Sequence, residues 1–142
     1  MSWHSYIVNL MADGDCLDSA IVGCTEQNKS VWASHDGCAN TFARITPQEI
    51  DVLVGDDRQS FFTNGLTLGA QKCSVLRDSL NVDNDWIMDI RTKSQGGEQT
   101  YNVAIGKANK VLVLVMGKAG IHGGVLNKKA YTMAKYLRDA GF

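Results

Sequence analysis

Two glycine-containing segments match parts of catalytic motifs, and each lacks an essential partner. Gly117-Lys118 follows a predicted strand, as the lysine of a phosphate-binding loop does. Ala119 then stands where that loop needs Ser or Thr to bind magnesium, and the first glycine of the pattern is missing. Residues 121–124 (Ile-His-Gly-Gly) match an esterase oxyanion loop, but the chain has no Gly-x-Ser-x-Gly nucleophile elbow. The sequence therefore argues against both phosphate-loop and esterase chemistry.

Metal sites and acid–base pairs have no better support from residue spacing. The histidines lack a second ligand at helix or hairpin spacing; they are His4, His35 and His122. Asp56 and Asp57 look like surface loop carboxylates. The four cysteines form no Cys-x-x-Cys pair and are interpreted as reduced thiols. We therefore predict a protein that is not an enzyme, uses no cofactor or metal, and works by binding.

Large aromatic side chains lie near both ends of the chain. Trp3 and Tyr6 are close to one end, Trp32 is on an early predicted strand, and Tyr136 and Phe142 are near the other end. Each ring taken singly is more often part of a core than of a binding site. Together they would line a shallow groove, provided that the terminal helices lie side by side.

Charge is distributed unevenly along the chain. Residues 1–70 contain 3 Lys+Arg and 9 Asp+Glu, whereas residues 71–142 contain 11 and 6. A basic half suits an acidic partner such as a protein patch, phosphoinositide headgroups or nucleic acid. Counts alone support an ordinary solvated lysine face equally well.

Length and composition predict one domain over residues 1–142. The first residues lack the cationic start and apolar run of a secretory signal, and Lys110 and Lys118 confine the longest apolar run to residues 111–116. We therefore expect a soluble, cytoplasmic protein. Loop 34–43, which contains Cys38, has no predicted role.

Residue periodicity places helices at both ends of the chain. Trp3, Tyr6, Ile7 and Leu10 form a helical stripe that ends at Asp13-Gly14. Near the other end, the stripe consists of Leu126, Ala130, Met133 and Leu137, preceded by Gly123-Gly124 and closed by Gly141. Between them, Thr46-Pro-Gln-Glu49 forms a capping box that starts a helix over Pro47–Val54.

Alternating and compact apolar runs predict strands at residues 17–22, 30–33, 65–68, 72–77, 86–93, 100–107 and 110–116. Ser94-Gln-Gly-Gly97 is expected to turn one hairpin. This order is not a βαβα alternation. The prediction is an α+β fold, a central antiparallel β-sheet covered by helices.

Short motifs follow one another in a fixed order along the chain. The first part contains Trp3-x-x-Tyr6-x-x-x-Leu10-Met-Ala-Asp-Gly14, Ala20-Ile-Val-Gly23 and Val31-Trp-Ala33. The middle contains Ile45-Thr-Pro-x-Glu49, Asp57-Arg58, Phe61-Phe62, Asn64-Gly-Leu-Thr-Leu-Gly69 and Lys72-Cys-Ser-Val-Leu-Arg-Asp78. The last part contains Met116-Gly-Lys118 and His122-Gly-Gly-x-x-Asn-Lys-Lys129. Together these motifs resemble the profilin family, and residues 93–97 and 134–142 are most similar to its vertebrate type II members.

The resemblance implies a sheet with the N- and C-terminal helices packed on one face and short helices on the other. It also implies two binding surfaces and the partners monomeric actin, proline-rich proteins such as formins, and, weakly, phosphoinositides, with no role for nucleic acid. The actin-binding residues implied are Phe62, Lys72, Leu76, Arg77, Arg91, Lys93, Thr100, Asn102, Ile121, His122, Gly124, Asn127 and Lys128. Those implied for proline-rich peptides are Trp3, Tyr6, Trp32, Tyr136, Leu137 and Phe142. Those implied for phosphoinositides are Lys72, Arg77, Arg91, Lys93, Lys128 and Arg138.

Two positions depart from the common family pattern. Phe142 replaces a tyrosine and keeps the ring without the hydroxyl, while Asp139 replaces a base and lowers the positive charge beside Arg138. The resulting hypothesis is an actin-monomer-binding protein of the actin cytoskeleton that regulates polymerisation, promotes nucleotide exchange on actin and links actin to proline-rich ligands and phosphoinositides. The alternative is a phosphoinositide-binding signalling protein acting mainly at the membrane surface, and a small hydrolase is a distant third.

Overall fold

A computed structural model of the chain describes residues 2–35, 41–94 and 96–142. The elements within these ranges are, in chain order, α1 (Trp3–Met11), β1 (Cys16–Gly23), β2 (Val31–Ser34), a 3-10 turn (Phe42–Arg44), α2 (Pro47–Val54), α3 (Phe61–Asn64), β3 (Leu66–Leu68), β4 (Gln71–Ser79), β5 (Ile87–Thr92), β6 (Asn102–Lys107), β7 (Val111–Gly117) and α4 (Gly123–Asp139). The strands form one sheet in the order β2-β1-β7-β6-β5-β4-β3, and every neighbouring pair is antiparallel.

The pairing of β1 with β7 brings the two ends of the chain together. Because α1 immediately precedes β1 and α4 follows β7, this pairing brings both terminal helices to the same region of the sheet. One core cluster lies on their side of the sheet and includes Ile7 and Leu10 of α1 with Leu126 and Ala130 of α4. The predicted proximity of the terminal helices is confirmed.

A second core cluster lies on the opposite face of the sheet. It is built from Phe42 of the 3-10 turn, Ile50 and Leu53 of α2, and Phe61 of α3. Strand β7 runs between the two clusters and is buried along its whole length, which explains its unbroken apolar sequence. The predicted α+β architecture, with helices on both faces of an antiparallel sheet, is confirmed.

The capping box forms as the sequence predicts. The Glu49 amide donates to Thr46 Oγ1 at 3.2 Å, and the Thr46 amide donates to Glu49 Oε1 at 3.0 Å. The same carboxylate also accepts hydrogen bonds from Thr67 Oγ1 and from the amides of Gly69 and Ala70. Glu49 therefore starts α2 and also fixes the β3–β4 turn, a second role that the local motif does not reveal.

Several local predictions need correction, and the bounds of the remaining strands differ from prediction by one or two residues. The resemblance implies short helices on this face, but residue patterns did not locate the 3-10 turn and α3, because segments this short have no helical period and depend on burying Phe42 and Phe61. Strand β5 begins at Ile87 and not at residue 86, since Trp86 has a positive φ of 50°. Strand β6 begins at residue 102 rather than residue 100. The C-terminal helix includes both predicted flanking glycines in its first turn, and it buries Ala134 more completely than Met133.

Helix α4 lies directly against β6 at Gly106. A Cβ atom at this position would lie 2.5 Å from the Ala130 carbonyl oxygen and 3.0 Å from Ala134 Cβ. Because the obstacle is helix backbone, a side chain here would displace α4 from the sheet. Gly106 therefore sets how closely the C-terminal helix approaches the sheet.

We expect Gly106→Val to lower the free energy of unfolding by about 1–3 kcal/mol, the usual cost of overpacking a core. Urea denaturation followed by circular dichroism measures this change. The matched control is Gly96→Val in the exposed turn, where the change is expected to stay within about 0.5 kcal/mol. Equal stability of the two variants would contradict the close approach of α4.

Across the described ranges, none of the helices combines the length and apolar character needed to cross a membrane.

Candidate binding surfaces

Five aromatic rings from α1, β2, α4 and the residue at position 142 form one contiguous group. We call it the aromatic cluster; it consists of Trp3, Tyr6, Trp32, Tyr136 and Phe142. The Trp3 ring centroid lies 5.5 Å from Tyr6, 5.1 Å from Trp32 and 4.9 Å from Phe142. The Tyr6 and Tyr136 centroids are 6.1 Å apart. These are the distances of tilted and edge-to-face ring pairs. The structure therefore brings together rings from the two ends of the sequence.

The cluster remains open to solvent. Tyr136 is 53% exposed and Phe142 is 36% exposed, while Trp3, Tyr6 and Trp32 are half-buried. The backbone of Phe142 is fixed by two hydrogen bonds: its amide donates to the Leu137 carbonyl at 2.8 Å, and its carbonyl accepts from the Lys110 amide. The result is a surface of flat rings whose positions are set by the fold before any ligand arrives.

Two predicted properties of this surface differ in the structure. Leu137 is fully buried in the core shared by α1 and α4, because it continues the apolar stripe of α4, so its side chain offers no surface to a ligand. The Trp32 indole N–H, predicted to serve a ligand, lies 3.4 Å from the Asn28 carbonyl oxygen and makes a long hydrogen bond to it. A ligand carbonyl would have to compete with that internal acceptor.

A groove of about 620 Å³ continues from the aromatic cluster between α1 and α4. Tyr6 and Tyr136 line it, as do Leu10 and Met133. The Lys129 ammonium group, which also lines the groove, forms a 2.6 Å ion pair with Asp13. The sequence predicts a shallow groove lined by the aromatic rings, but it does not predict that a groove extends between α1 and α4 as far as Lys129.

The residues implied for actin binding lie on α3, β4, β5 and β6, in the β5–β6 loop, between β7 and α4, and at the start of α4. We call this set the basic surface; it consists of Phe62, Lys72, Leu76, Arg77, Arg91, Lys93, Thr100, Asn102, Ile121, His122, Gly124, Asn127 and Lys128. It involves the first half of α4, whereas Tyr136 of the aromatic cluster is in the second half. From Gly124 to Tyr136 the helix rises about 18 Å at 1.5 Å per residue. The centres of the two surfaces therefore lie toward opposite ends of α4, and Lys128 of the basic surface also lines the groove that continues from the aromatic cluster.

A hydrogen-bond network fixes the centre of the basic surface. Arg91 Nε donates to Thr100 Oγ1 at 3.0 Å, and its Nη1 donates to Asn102 Oδ1 at 2.8 Å. The Asn102 amide group then donates to the Ile121 carbonyl at 3.1 Å. These residues, with His122, line a cavity of about 270 Å³. The network joins β5 and β6 to the segment that leads into α4.

The first turn of α4 is organised by two local contacts. His122 caps the helix, and its Nδ1 accepts the Gly124 amide at 2.9 Å. The Asn127 side-chain amide donates to both carboxylate oxygens of Asp89, at 3.0 and 3.1 Å. Asp89 is the register partner of Arg77 on β4. Asn127 is thus held to β5 through Asp89, which lies opposite the predicted residue Arg77 and which the sequence does not single out.

Two large apolar side chains of the basic surface face solvent. Phe62 is 58% exposed and Leu76 is 53% exposed. Leu76 lies at the register shift between Val75 and Arg77, where the extra residue of the β-bulge leaves the normal alternation. The bulge explains how a leucine in the middle of a strand remains exposed. It also shows why sequence alternation alone could not assign it to a face.

The predicted phosphoinositide-binding bases do not form one group. Lys72 and Lys93 line one open cavity of about 500 Å³, whereas Arg138 lies near the opposite end of α4 from Lys128. The Arg138 guanidinium carbon is 3.4 Å from the centroid of the Trp86 ring, and Nη2 donates to the Lys107 carbonyl. Burial lowers the pKa of Arg138. Its assignment to a headgroup site stays a prediction, and the structure shows the half-buried guanidinium already stacked on Trp86 and bonded to the Lys107 carbonyl.

The three cysteines that the structure describes show no sign of nucleophilic chemistry. Cys16 and Cys73 are buried, and burial raises the pKa of the Cys73 thiol to about 12. Cys38, with the rest of residues 36–40 in the predicted loop 34–43, lies outside the described residues. Among the residues that the structure describes, no group of three or more His, Cys, Asp or Glu side chains is arranged to hold a metal ion.

Comparison with known proteins gives full-length matches. The family model described as Profilin matches residues 1–142. Profilin-2 from Bos taurus is 67% identical over 140 residues, which cover 99% of this chain and 98% of the relative. Profilin-1 from Homo sapiens is 60% identical over 140 residues, with the same coverage. A structure of mouse profilin IIa in complex with a double repeat from the FH1 domain of mDia1 is 65% identical, covers 100% of both chains and has a TM-score of 0.94.

Proposed function

The chain belongs to the profilin family, and we propose on this basis that it binds monomeric actin and proline-rich peptides and thereby regulates actin polymerisation. The observation that carries the proposal is the placement of two unlike surfaces near opposite ends of α4. A protein with this arrangement holds an actin monomer and a proline-rich partner such as a formin at the same time. It delivers the monomer to filament ends and favours nucleotide exchange on it. The proposal assigns no catalytic step and places the protein with the cytoplasmic actin cytoskeleton.

The aromatic cluster has the chemistry that a proline-rich peptide requires. Such a peptide forms a polyproline II helix, which is preformed and has no proline amides to donate. A protein that binds it needs flat aromatic rings to contact the pyrrolidine rings and hydrogen-bond donors for the exposed carbonyls. The half-buried rings of Trp3, Tyr6 and Trp32 supply the first, and the hydroxyl of the exposed Tyr136 is suited to the second. The mouse profilin IIa complex with an FH1 repeat supports this assignment.

The basic surface has the anatomy of a protein interface. Exposed Phe62 and Leu76 provide apolar anchors, and Lys72, Lys93 and Lys128 are exposed bases. The Arg91 network holds the polar centre in place, which lowers the ordering cost of association. We assign actin binding to this surface.

Excess protein is expected to slow spontaneous nucleation of pure actin. A bound monomer has one polymerisation surface covered by an interface on the order of 1,600–2,000 Å². Fluorescence of pyrene-labelled actin, followed with and without the protein, measures the lag before growth. The proposal predicts a longer lag at every excess concentration, and an unchanged lag would reject it.

Phosphoinositide binding is expected to be weak and sensitive to salt. Each exposed base near an anionic surface contributes about 1 kcal/mol, so the double change Lys72→Gln and Lys93→Gln is expected to weaken vesicle binding by more than about tenfold. Co-sedimentation with vesicles containing phosphatidylinositol bisphosphate, at low and physiological salt, measures this. Arg138→Gln is the matched control and is expected to change little, because its guanidinium already stacks on Trp86. Binding that persists unchanged at physiological salt would instead favour the membrane-signalling alternative.

A further inference from the structure

Trp86, which lies outside the aromatic cluster, has a backbone conformation that bulky residues rarely adopt. Its φ is 50°, in the left-handed region, immediately before β5. The peptide groups around it are fixed: the Trp86 amide donates to the Val82 carbonyl at 3.1 Å, and the Trp86 carbonyl accepts the Lys107 amide at 2.9 Å. Strained positions of this kind persist where the surrounding contacts over-determine them. The hydrogen bonds of its amide and carbonyl groups therefore hold Trp86 in this conformation.

The Trp86 ring contacts the last turn of α4. Arg138 lies over it, with its guanidinium carbon 3.4 Å from the ring centroid, and Arg138 Nη2 donates to the Lys107 carbonyl. Lys107 ends β6, and Lys110, three residues later, donates its amide to the Phe142 carbonyl. The β6–β7 turn thus holds residues 138–142 at two points: Lys107 contacts Arg138, and Lys110 contacts Phe142. Only the second point is itself part of the aromatic cluster.

Residues 138–142 connect these two points through a short folded-back segment. The Gly141 amide donates to the Arg138 carbonyl at 3.0 Å, and the Phe142 amide donates to the Leu137 carbonyl at 2.8 Å. Gly141 adopts a φ of 97° to make this reversal. The position of the Phe142 ring beside Trp3 therefore depends on where the last turn of α4 is anchored.

We propose that Arg138 is a positioning residue for the proline-rich peptide site, a role that rests on the function proposed above. By stacking on Trp86 and bonding to the Lys107 carbonyl, it holds the end of α4 so that Tyr136 and Phe142 meet the rings of α1. A ligand that needs both rings in place binds only the fraction of molecules in which they are correctly positioned, so its apparent affinity falls in proportion to that fraction. We expect loss of the anchor to weaken binding roughly three- to tenfold. Arg138 itself does not touch the peptide.

The experiment measures affinity for a fluorescein-labelled oligoproline peptide by fluorescence anisotropy, in variants of the full chain. We expect Arg138→Gln and Trp86→Gly each to weaken binding by roughly three- to tenfold, and the double variant to be no weaker than the worse single one. Trp86→Phe keeps a ring face and is expected to retain most of the affinity. Lys135→Gln, which removes an exposed positive charge from the same helix, is the control and is expected to bind like the wild type.

Trp86→Gly also separates positioning from general stability. Glycine adopts the left-handed backbone conformation without strain, so this change relieves the backbone while it removes the ring. Circular dichroism melting and pyrene-actin assays are expected to show a folded protein with unchanged actin binding and weakened peptide binding.

If the Arg138→Gln and Trp86→Gly variants both bind the peptide with the affinity of the wild type, the positioning role is overturned and the proposed function stays intact. Losses that follow melting temperature, or that weaken actin binding equally, would show a purely structural contact and also overturn it. If the wild type fails to bind oligoproline, the peptide-binding half of the proposed function fails, and the inference fails with it.

Discussion

Trp3→Ala is expected to abolish retention on immobilised polyproline while leaving affinity for monomeric actin within about twofold of the wild type. Trp3 is the centre of the aromatic cluster and contacts the rings of Tyr6, Trp32 and Phe142. A large ring buries roughly 150–250 Å² when it stacks, which at about 25 cal/mol per Å² corresponds to a loss of several kcal/mol. Proline-rich ligands bind modestly, so this loss removes measurable retention.

The competing interpretation is that Trp3 is chiefly a core residue. In that case, truncation would cost about 3–5 kcal/mol of folding stability and weaken both activities together. Thermal melting and actin binding of the variant, measured beside its polyproline retention, distinguish the two. Val8→Ala is a matched control, because Val8 lies on α1 and is 57% exposed. Equal loss of actin and peptide binding in Trp3→Ala would reject the assignment of this residue to the peptide-binding site.

Asp78→Ala is expected to produce the largest loss of stability, about 3–5 kcal/mol, because it leaves the Arg58 guanidinium without its counter-charge in a mostly buried site. Arg58 Nε and Nη2 each donate to the Asp78 carboxylate at 2.8 Å, and the two side chains are 20% and 6% exposed. Arg58 Nη1 also donates to the carbonyls of Leu53 and Gly55. This pair ties the end of α2 to β4, and urea denaturation at neutral pH measures its contribution.

The pH dependence of stability tests the Arg58–Asp78 ion pair independently. Burial alone raises the pKa of Asp78, but the hydrogen bonds and charge of Arg58, with the Leu80 amide, outweigh it and hold the pKa below its usual value. A carboxyl whose pKa is lowered by folding stabilises the protein above its unfolded pKa of about 3.9 and loses that contribution as pH falls through the folded value. The wild type is therefore expected to lose more stability than Asp78→Ala as the solution is acidified below about pH 4.

The paired variant Arg58→Met with Asp78→Leu tests whether the loss comes from the unpaired charge. Replacing both partners by apolar side chains is expected to restore most of the stability lost in Asp78→Ala. A double variant as unstable as the single one would show that shape, rather than charge pairing, dominates at this site.

Most elements were predictable from the sequence, because their signals are local. The stripe of α1, the capping box at Thr46 and the alternation of the later strands each depend on residues within about two helical turns of one another. Elements whose stability comes from distant partners were not predictable in the same way. Helix α3 depends on burying Phe61, and the 3-10 turn depends on Phe42 and on Asp18, whose carboxylate accepts the Thr41 and Phe42 amides from 23 and 24 residues away.

The resemblance carried by ordered motifs predicted the family and proposed the residues of each surface. Only the tertiary structure decided which of those residues face solvent. It buried Leu137, exposed Leu76 at a β-bulge and stacked Arg138 on Trp86, 52 positions away in the sequence. The reason is physical: the identity of a side chain is fixed by its position in the chain, but its exposure and hydrogen-bond partners are set by contacts between strands and helices that are remote in sequence. The pairing of β1 with β7 brings those remote segments together.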